Sequence, residues 1–349
     1  MNYSIDPYIQ QQLKEENLRY VSDQSPGLFR QKLGKKFKFY DLDGETIKDK
    51  NVLERINKLI IPPAWKNVWI APLANAHLQA TGIDKKGRKQ YIYHSEWTKI
   101  CQENKFLSLV DFGLSLPKIR SQISHDLALK KMEKRKIIAT VIWLLEHTFI
   151  RIGNEEYSKE NNSFGLTTLR NKHVNVKGSE IYFQFRGKSG VPQTLVITNK
   201  LIAKTIKKCV ELPGYELFQF IDEKDERHVI DSSDVNEFLK DLTKGNFTAK
   251  DFRTWGATNL SANHLYKLGW VSDAKIIKQN IVDTVKKVAA HLNNTIAVCR
   301  NYYIHPTVLK TYKNNILPPH FLRFSTLEIK KPNLSWDEFA LIKLLQKNS

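Results

Sequence analysis

The sequence predicts an α+β protein: a small β-rich N-terminal domain, then a larger, mainly helical domain containing a small three-stranded antiparallel sheet. Three observations predict it. Between Tyr20 and about Trp97, short runs rich in β-branched and aromatic residues (FKFYDL, NVWIAP, GRKQYIYH) are separated by turn residues, as in a small, mostly antiparallel sheet. From Asp126 the apolar residues change to helical spacing. Within that half, VNV, EIYFQF and QTLVI alternate apolar with polar residues, with Lys177-Gly178 and Gly187-Lys188-Ser189-Gly190 as turns. The expected domains are residues 1–100 and 101–349, and 349 residues suit two or three domains.

In order, residues 1–20 read as a short polar helix. Asp43-Gly44 is a hairpin-type turn, and Ile60-Ile61-Pro62-Pro63-Ala64-Trp65 a stiff apolar connection. Residues 98–125 read as a connecting region. DLALKKMEKRKIIATVIWLLEHTFIRIGN reads as one helix ending near Gly153-Asn154, with Arg151 in its last turn. Residues 199–245 read as mainly helical, starting a helix at Asp234-x-x-Glu237. Thr248-x-x-Asp251 and Ser335-x-x-Glu338 are further helix-start signatures. A long helix is expected from Asp273 to Ala290, then a turn at Asn293-Asn294 and a short helix from Thr295 that Pro306 limits.

Composition narrows the function. The chain carries 55 Lys+Arg against 36 Asp+Glu, a net charge of +19, and 41% hydrophobic residues. This excess favours a polyanionic partner, nucleic acid first and an anionic membrane second. Cys101, Cys209 and Cys299 lie too far apart for a zinc knuckle or a disulfide framework. The N-terminus has no apolar signal core, and runs such as IIATVIWLL are too short to cross a bilayer. A soluble, intracellular protein is expected. P-loop and dinucleotide fingerprints are absent.

Four stretches bear chemistry. In GIDKKGRKQYIYH, Lys85, Lys86, Arg88 and Lys89 lead into a strand with Gln90 and Ile92 on one face and Tyr91 and Tyr93 on the other. Lysine and arginine hold phosphates, glutamine can read a base edge, and tyrosine can stack. Lys188 sits at a glycine-flanked hairpin tip. Arg253 stands near a helix start, where free N–H groups favour a bound phosphate. HLNNTIAVCRNYYIHP carries the adjacent Tyr302 and Tyr303 near the end of its short helix; on residue type alone such a pair reads as packing anchors, ring in and hydroxyl out, rather than as a nucleophile.

The ordered set GRKQYIYH, RIGNEEY, GLTTLR, GKSG, KDFRTWGAT and NTIAVCRNYYIHP resembles the type IB DNA topoisomerases, in their compact bacterial and poxvirus-like form, from about Tyr20 to His305. The resemblance implies an N-terminal DNA-clamp domain and a catalytic domain whose residues are Arg151, Lys188, Arg253, Asn294 and the nucleophile Tyr303. Tyr303 is selected over Tyr302 because it lies nine residues after Asn294 and directly before Ile-His-Pro. Tyr157, six residues after Arg151, matches a DNA-contacting tyrosine, and Gln90, Tyr91 and Tyr93, beside Arg88 and Lys89, match residues entering the major groove. Val191-Pro192-Gln193 departs from the family's charged residues and histidine after the lysine. Tyr302 replaces a smaller residue. His291, three residues before Asn294, reads as structural.

The implied reaction is reversible DNA transesterification through a 3′-phosphotyrosine, with Lys188 as the acid for the departing 5′-oxygen, and with neither cofactor, metal nor ATP. The implied partner is double-stranded DNA, gripped by a monomer closing as a clamp in the cytoplasm at the nucleoid, with no membrane. The alternatives are a tyrosine recombinase and a non-enzymatic basic DNA-binding protein.

Overall fold

The computed structural model describes residues 7–34, 36–85, 87–155, 158–159, 162–327 and 332–348, and the chain divides into two units, Met1–Phe106 and Leu107–Ser349. The first begins with helix α1 (Pro7–Glu15) and holds a five-stranded antiparallel sheet in the order β2-β1-β3-β4-β5. Its strands are β1 (Leu28–Leu33), β2 (Lys36–Tyr40), β3 (Lys66–Ile70), β4 (Leu78–Ile83) and β5 (Lys89–Tyr93). Helix α2 (Lys50–Lys58), capped by Asp49, buries Ile56 against Leu28, Val68, Ile70 and Ala80. Arg30 staples the Ile60–Trp65 connection by donating to the carbonyls of Ile61, Pro62 and Trp65 at 2.9–3.0 Å.

The second unit packs helices around one long element. Helix α3 (Ser95–Leu107) closes the first unit; the second opens with α4 (Leu109–Leu127), and α5 (Lys134–Thr148) follows. Residues 98–125 are therefore helical, not connecting. Phe112, Leu116, Ile119 and Ile123 are buried along one face of α4, a stripe that Pro117 in its middle obscures. The expected helix from Asp126 is two: Asp126 lies in the last turn of α4, and α5 starts eight residues later. Helix α5 also stops early, at Phe149 in the left-handed region (φ 52°), so Arg151 lies beyond the helix rather than in its last turn.

Strands β6 (Val174–Lys177), β7 (Glu180–Arg186) and β8 (Pro192–Thr198) form the expected three-stranded antiparallel sheet. After α6 (Lys200–Glu211) comes a hairpin, β9 (Gln219–Ile221) with β10 (Arg227–Val229), whose three-residue strands are too short to show a period. Helix α7 (Ser232–Thr243) starts at Asp231, with Asp234 as the partner in its capping box, three residues before the expected start. Helix α8 (Ala249–Leu268) begins at the expected Thr248–Asp251 box. It buries Phe252, Trp255, Ala257 and Leu265. A Cβ on Gly113 of α4 would collide with Trp255, and one on Gly256 with the Phe149 ring, so both glycines permit close approach to α8.

Then come α9 (Ala274–His291), α10 (Ile296–Tyr302), α11 (Pro306–Lys313), α12 (Leu317–Ser325) and α13 (Trp336–Asn348). Among the described residues, no helix is long and apolar enough to cross a membrane.

Candidate active site

Three segments deliver the two arginines and the tyrosine of the site. The first is the extended piece after α5. The N–H groups of Leu166 and Thr167 donate to the carbonyls of Arg151 and Ile152 at 2.9 and 2.7 Å, pinning the backbone that carries Arg151. Gly165 is forced there, since a Cβ would strike the Arg151 carbonyl. Arg151 donates to Asn294 Oδ1 at 2.5 Å. An amide that offers its oxygen to a guanidinium must turn its NH2 the other way. Asn294 Nδ2 is buried and finds no hydrogen-bond partner among the described residues.

The second segment is the start of α8. Arg253 is only 4% exposed. Its Nη1 donates to the Phe149 carbonyl and its Nη2 to the Leu292 carbonyl, the latter at 2.9 Å. The left-handed end of α5 thus seats one arginine and exposes the chain that bears the other. Lys250, one turn before Arg253, adds charge at the same place.

The third segment is the end of α10. Tyr303 caps that helix, its N–H donating to the Cys299 carbonyl at 3.0 Å. The Thr258 hydroxyl of α8 donates to the Tyr303 carbonyl and accepts from the His305 N–H, both at 3.1 Å. His305 then caps α11, whose first residue is Pro306. Burial holds the His305 imidazole down at about 4, so it is neutral at pH 7. The Arg253 guanidinium lies 5.2 Å from the centre of the Tyr303 ring and hydrogen-bonds its side chain. Burial alone would raise the Tyr303 phenol. The charge and hydrogen bond of Arg253, with the charges of Arg151 and Lys250, outweigh it and hold the phenol below its ordinary 10.0. Behind it the buried Cys299 thiol is pushed up to about 11, away from thiolate chemistry. Tyr302 is 42% exposed, whereas Tyr303 is partly buried.

Lys188 stands at the expected hairpin tip, exposed, in a one-turn 3-10 segment between β7 and β8. It lines a cleft of about 370 Å³ together with Arg151, Arg253 and Asn293. His291 also lines this cleft, its ring edge-on to Phe149 at 5.5 Å. Sequence reasoning passed over Lys250, Thr258 and the Phe149 carbonyl. Lys250 and Thr258 fall inside the KDFRTWGAT motif, but their roles depend on which face of α8 meets Tyr303.

In the N-terminal unit, β5 alternates as expected: Gln90 and Ile92 turn inward, and Tyr91 and Tyr93 outward. The two tyrosine rings are parallel, 6.0 Å apart, with 47% and 44% exposure. Arg88 pairs with Asp84 at 2.7 Å, Gln90 donates to the same carboxylate at 3.0 Å, and Lys89 lies 2.6 Å from Asp23. Lys86 and Tyr157 fall outside the described residues. No metal site was expected. The β9–β10 hairpin nevertheless brings ligand atoms of Asp222, Glu226 and His228 within 4.8 Å of one another, with His228 already paired to Asp222 at 2.8 Å.

Two planar cations and one amide donor beside an activated phenol suit attack on a phosphodiester, where negative charge grows on the phosphoryl oxygens. Residues 94–318 match the family model described as the catalytic core of eukaryotic DNA topoisomerase I, and residues 36–84 match the N-terminal domain of bacterial DNA topoisomerase IB. The chain is 35% identical over 296 residues to the DNA topoisomerase 1B of Acanthamoeba polyphaga mimivirus, spanning 83% of this chain and 88% of that one. It is 26% identical over 244 residues to the DNA topoisomerase 1B of vaccinia virus strain Copenhagen, spanning 67% of this chain and 72% of that one. Its likeness to the DNA topoisomerase 1 of Candida albicans, 27% over 234 residues, spans 65% of this chain but 26% of that longer protein. With a catalytic-core match over most of its length and a relative above 30% identity aligned nearly throughout, this chain belongs to the type IB DNA topoisomerase family.

Proposed function

We propose that this protein relaxes supercoiled DNA by cutting one strand, holding its 3′ end as a phosphotyrosine on Tyr303, allowing rotation about the intact strand and resealing the nick, without ATP or a required metal ion. The observation that carries the reading is the seating of Tyr303 against Arg253, within the field of Arg151, in a chain of this family.

In the cleavage step the Tyr303 phenol gives its proton to water, its oxygen bonds to phosphorus and the bond from phosphorus to the 5′-oxygen breaks. Arg253 and Arg151 stabilise the phenolate and then the charge on the phosphoryl oxygens. Asn294 Nδ2 donates to one of those oxygens. Lys188 gives a proton to the departing 5′-oxygen. Resealing reverses each move, and the phosphotyrosine conserves the bond energy, so no nucleotide is hydrolysed. The net charge of +19 supplies the grip of a monomer closing as a clamp round the duplex. Tyr91 and Tyr93 meet the DNA with Gln90, Arg88, Lys89 and Tyr157, and Lys89 can exchange Asp23 for a phosphate. The match of residues 36–84 supports the compact bacterial type, and a bacterial enzyme acting on chromosomal DNA would work in the cytoplasm at the nucleoid.

Supercoiled plasmid incubated with the protein in EDTA without ATP is expected to run as a ladder of relaxed topoisomers. Plasmid that is bound in a gel shift yet stays supercoiled would favour the DNA-binding reading. Relaxation confined to paired recombination sites would favour a recombinase.

Thr258 offers a finer check. Thr258→Val removes the hydroxyl that joins the Tyr303 carbonyl, in a partly buried setting, to the buried His305 N–H. Leaving such groups unpaired costs about 1–3 kcal/mol, so single-turnover cleavage should slow by roughly tenfold or more while DNA affinity holds. An unchanged cleavage rate would show that Thr258 does not place the tyrosine.

A further inference from the structure

The departure at Val191-Pro192-Gln193 has a physical role. In β8 the inward positions are Gln193, Leu195 and Ile197, and Gln193 stands opposite Phe185 of β7. Its carboxamide continues the inner face of the hairpin to the last rung but one before the tip. There Oε1 accepts from Asn293 Nδ2 at 2.5 Å. Asn293 sits in the left-handed region (φ 50°) immediately before Asn294. Gly187, directly before Lys188, makes room: a Cβ there would press on Gln193 Cγ at 3.0 Å. The tip is closed by Gly187 N–H to the Val191 carbonyl at 2.8 Å and Gly190 N–H to the Gly187 carbonyl at 3.0 Å. The turn carrying Lys188 is therefore rigid at its base, and that base is tied to the turn carrying Asn294.

We propose that Gln193 is a positioning residue for Lys188: its hydrogen bond to Asn293 latches the β7–β8 hairpin so that Lys188 faces the cleft of Arg151 and Arg253. The proposal rests on the reading of Lys188 as the acid for the 5′-oxygen. A hairpin tip with Ser189 at φ 64° and Gly190 at φ 76° has no side-chain packing of its own, since Lys188, Ser189 and Gly190 are all exposed. Without a tie it would sample many positions, and few would bring Lys188 Nζ to the leaving oxygen.

The step gives the test. When the bond from phosphorus to the 5′-oxygen breaks, the oxygen takes the electron pair and a proton from Lys188, which regains one from water. A 5′-bridging sulfur leaves as a thiolate and needs no proton. Single-turnover cleavage of two suicide duplexes of the same sequence, one with oxygen and one with sulfur at that position, separates placement of the acid from every other effect. Gln193→Ala is expected to slow the oxygen substrate by roughly tenfold and the sulfur substrate by less than about twofold, with an unchanged melting temperature. Asn293→Gly, which keeps the left-handed backbone, should do the same. In a Lys188→Ala background, Gln193→Ala should cost nothing further.

Equal slowing on both substrates, or none on either, overturns the latch. If Lys188→Ala alone slows both substrates equally, the acid assignment fails and the latch falls with it. If wild type cleaves neither duplex, the functional reading itself fails. The parent enzyme and Lys188→Ala, run beside the Gln193 variants, tell these failures apart.

Discussion

Tyr303→Phe is expected to bind DNA with near-normal affinity yet form no covalent complex and relax no plasmid. The loss should be at least ~10⁴-fold, because the variant lacks the atom that becomes the ester oxygen, and no other group can supply it. The fold should survive. The ring stays under Arg253, whose guanidinium remains held by the Phe149 and Leu292 carbonyls. Tyr302→Phe is the matched control and should retain most activity, since Tyr302 is 42% exposed while the Arg253 guanidinium lies over the Tyr303 ring. Trapping on a suicide duplex followed by denaturing electrophoresis reads both variants. A normal covalent band from Tyr303→Phe would remove Tyr303 from the chemistry.

The second large effect concerns the end of the chain. Glu338 of α13 is 7% exposed and lies 2.6 Å from Arg120 of α4, which also reaches Glu146 of α5 at 2.7 Å. The same carboxylate accepts from Trp255 Nε1 at 3.1 Å and from the Ser335 N–H and hydroxyl at 3.1 and 3.0 Å. Trp255 is two residues from Arg253, so the C-terminal helix buttresses the element that presents the arginine. Glu338→Ala leaves Arg120 short of a partner and Trp255 without an acceptor. Breaking such a buried pair costs about 3–5 kcal/mol. For a domain of this size that lowers Tm by roughly 10 °C. Burial would raise the Glu338 carboxyl, but Arg120, Trp255 and Ser335 hold it below its ordinary 4.5. A depressed folded value stabilises above the unfolded value and ceases to do so as pH falls through the folded one. The gap between variant and parent should therefore be full at neutral pH and narrow in acid. Scanning calorimetry showing a Tm within about 2 °C of the parent at pH 7 would mean that the network is not what holds α13.

The motifs made the site more legible than the scaffold around it. Thr248–Asp251 announces α8 and places Arg253 in its second turn, and the alternation of VNV, EIYFQF and QTLVI announces the sheet with Lys188 at its tip. These signals are local, so short windows carry them. The errors have a different origin. The apolar stripe of α4 was hidden by Pro117, and β9 and β10 are too short to show a period. The end of α5 turned on Phe149 adopting a left-handed conformation, which its side chain gives no reason to expect; the reason is the Phe149 ring against Gly256 and its carbonyl on Arg253. The contacts of Gln193 with Asn293, and of Thr258 with the Tyr303 and His305 backbone, join residues 100 and about 45 positions apart, beyond any window of the chain.

The most direct test of the central claim is to map the DNA adduct. Wild-type protein trapped on a suicide duplex, digested with protease and nuclease and analysed by tandem mass spectrometry, should carry a nucleotide phosphate on the peptide spanning Tyr302 and Tyr303. Fragment ions should place it on Tyr303, through the 3′-phosphate. An adduct on Tyr302, or covalent DNA attached elsewhere in the chain, would contradict the account.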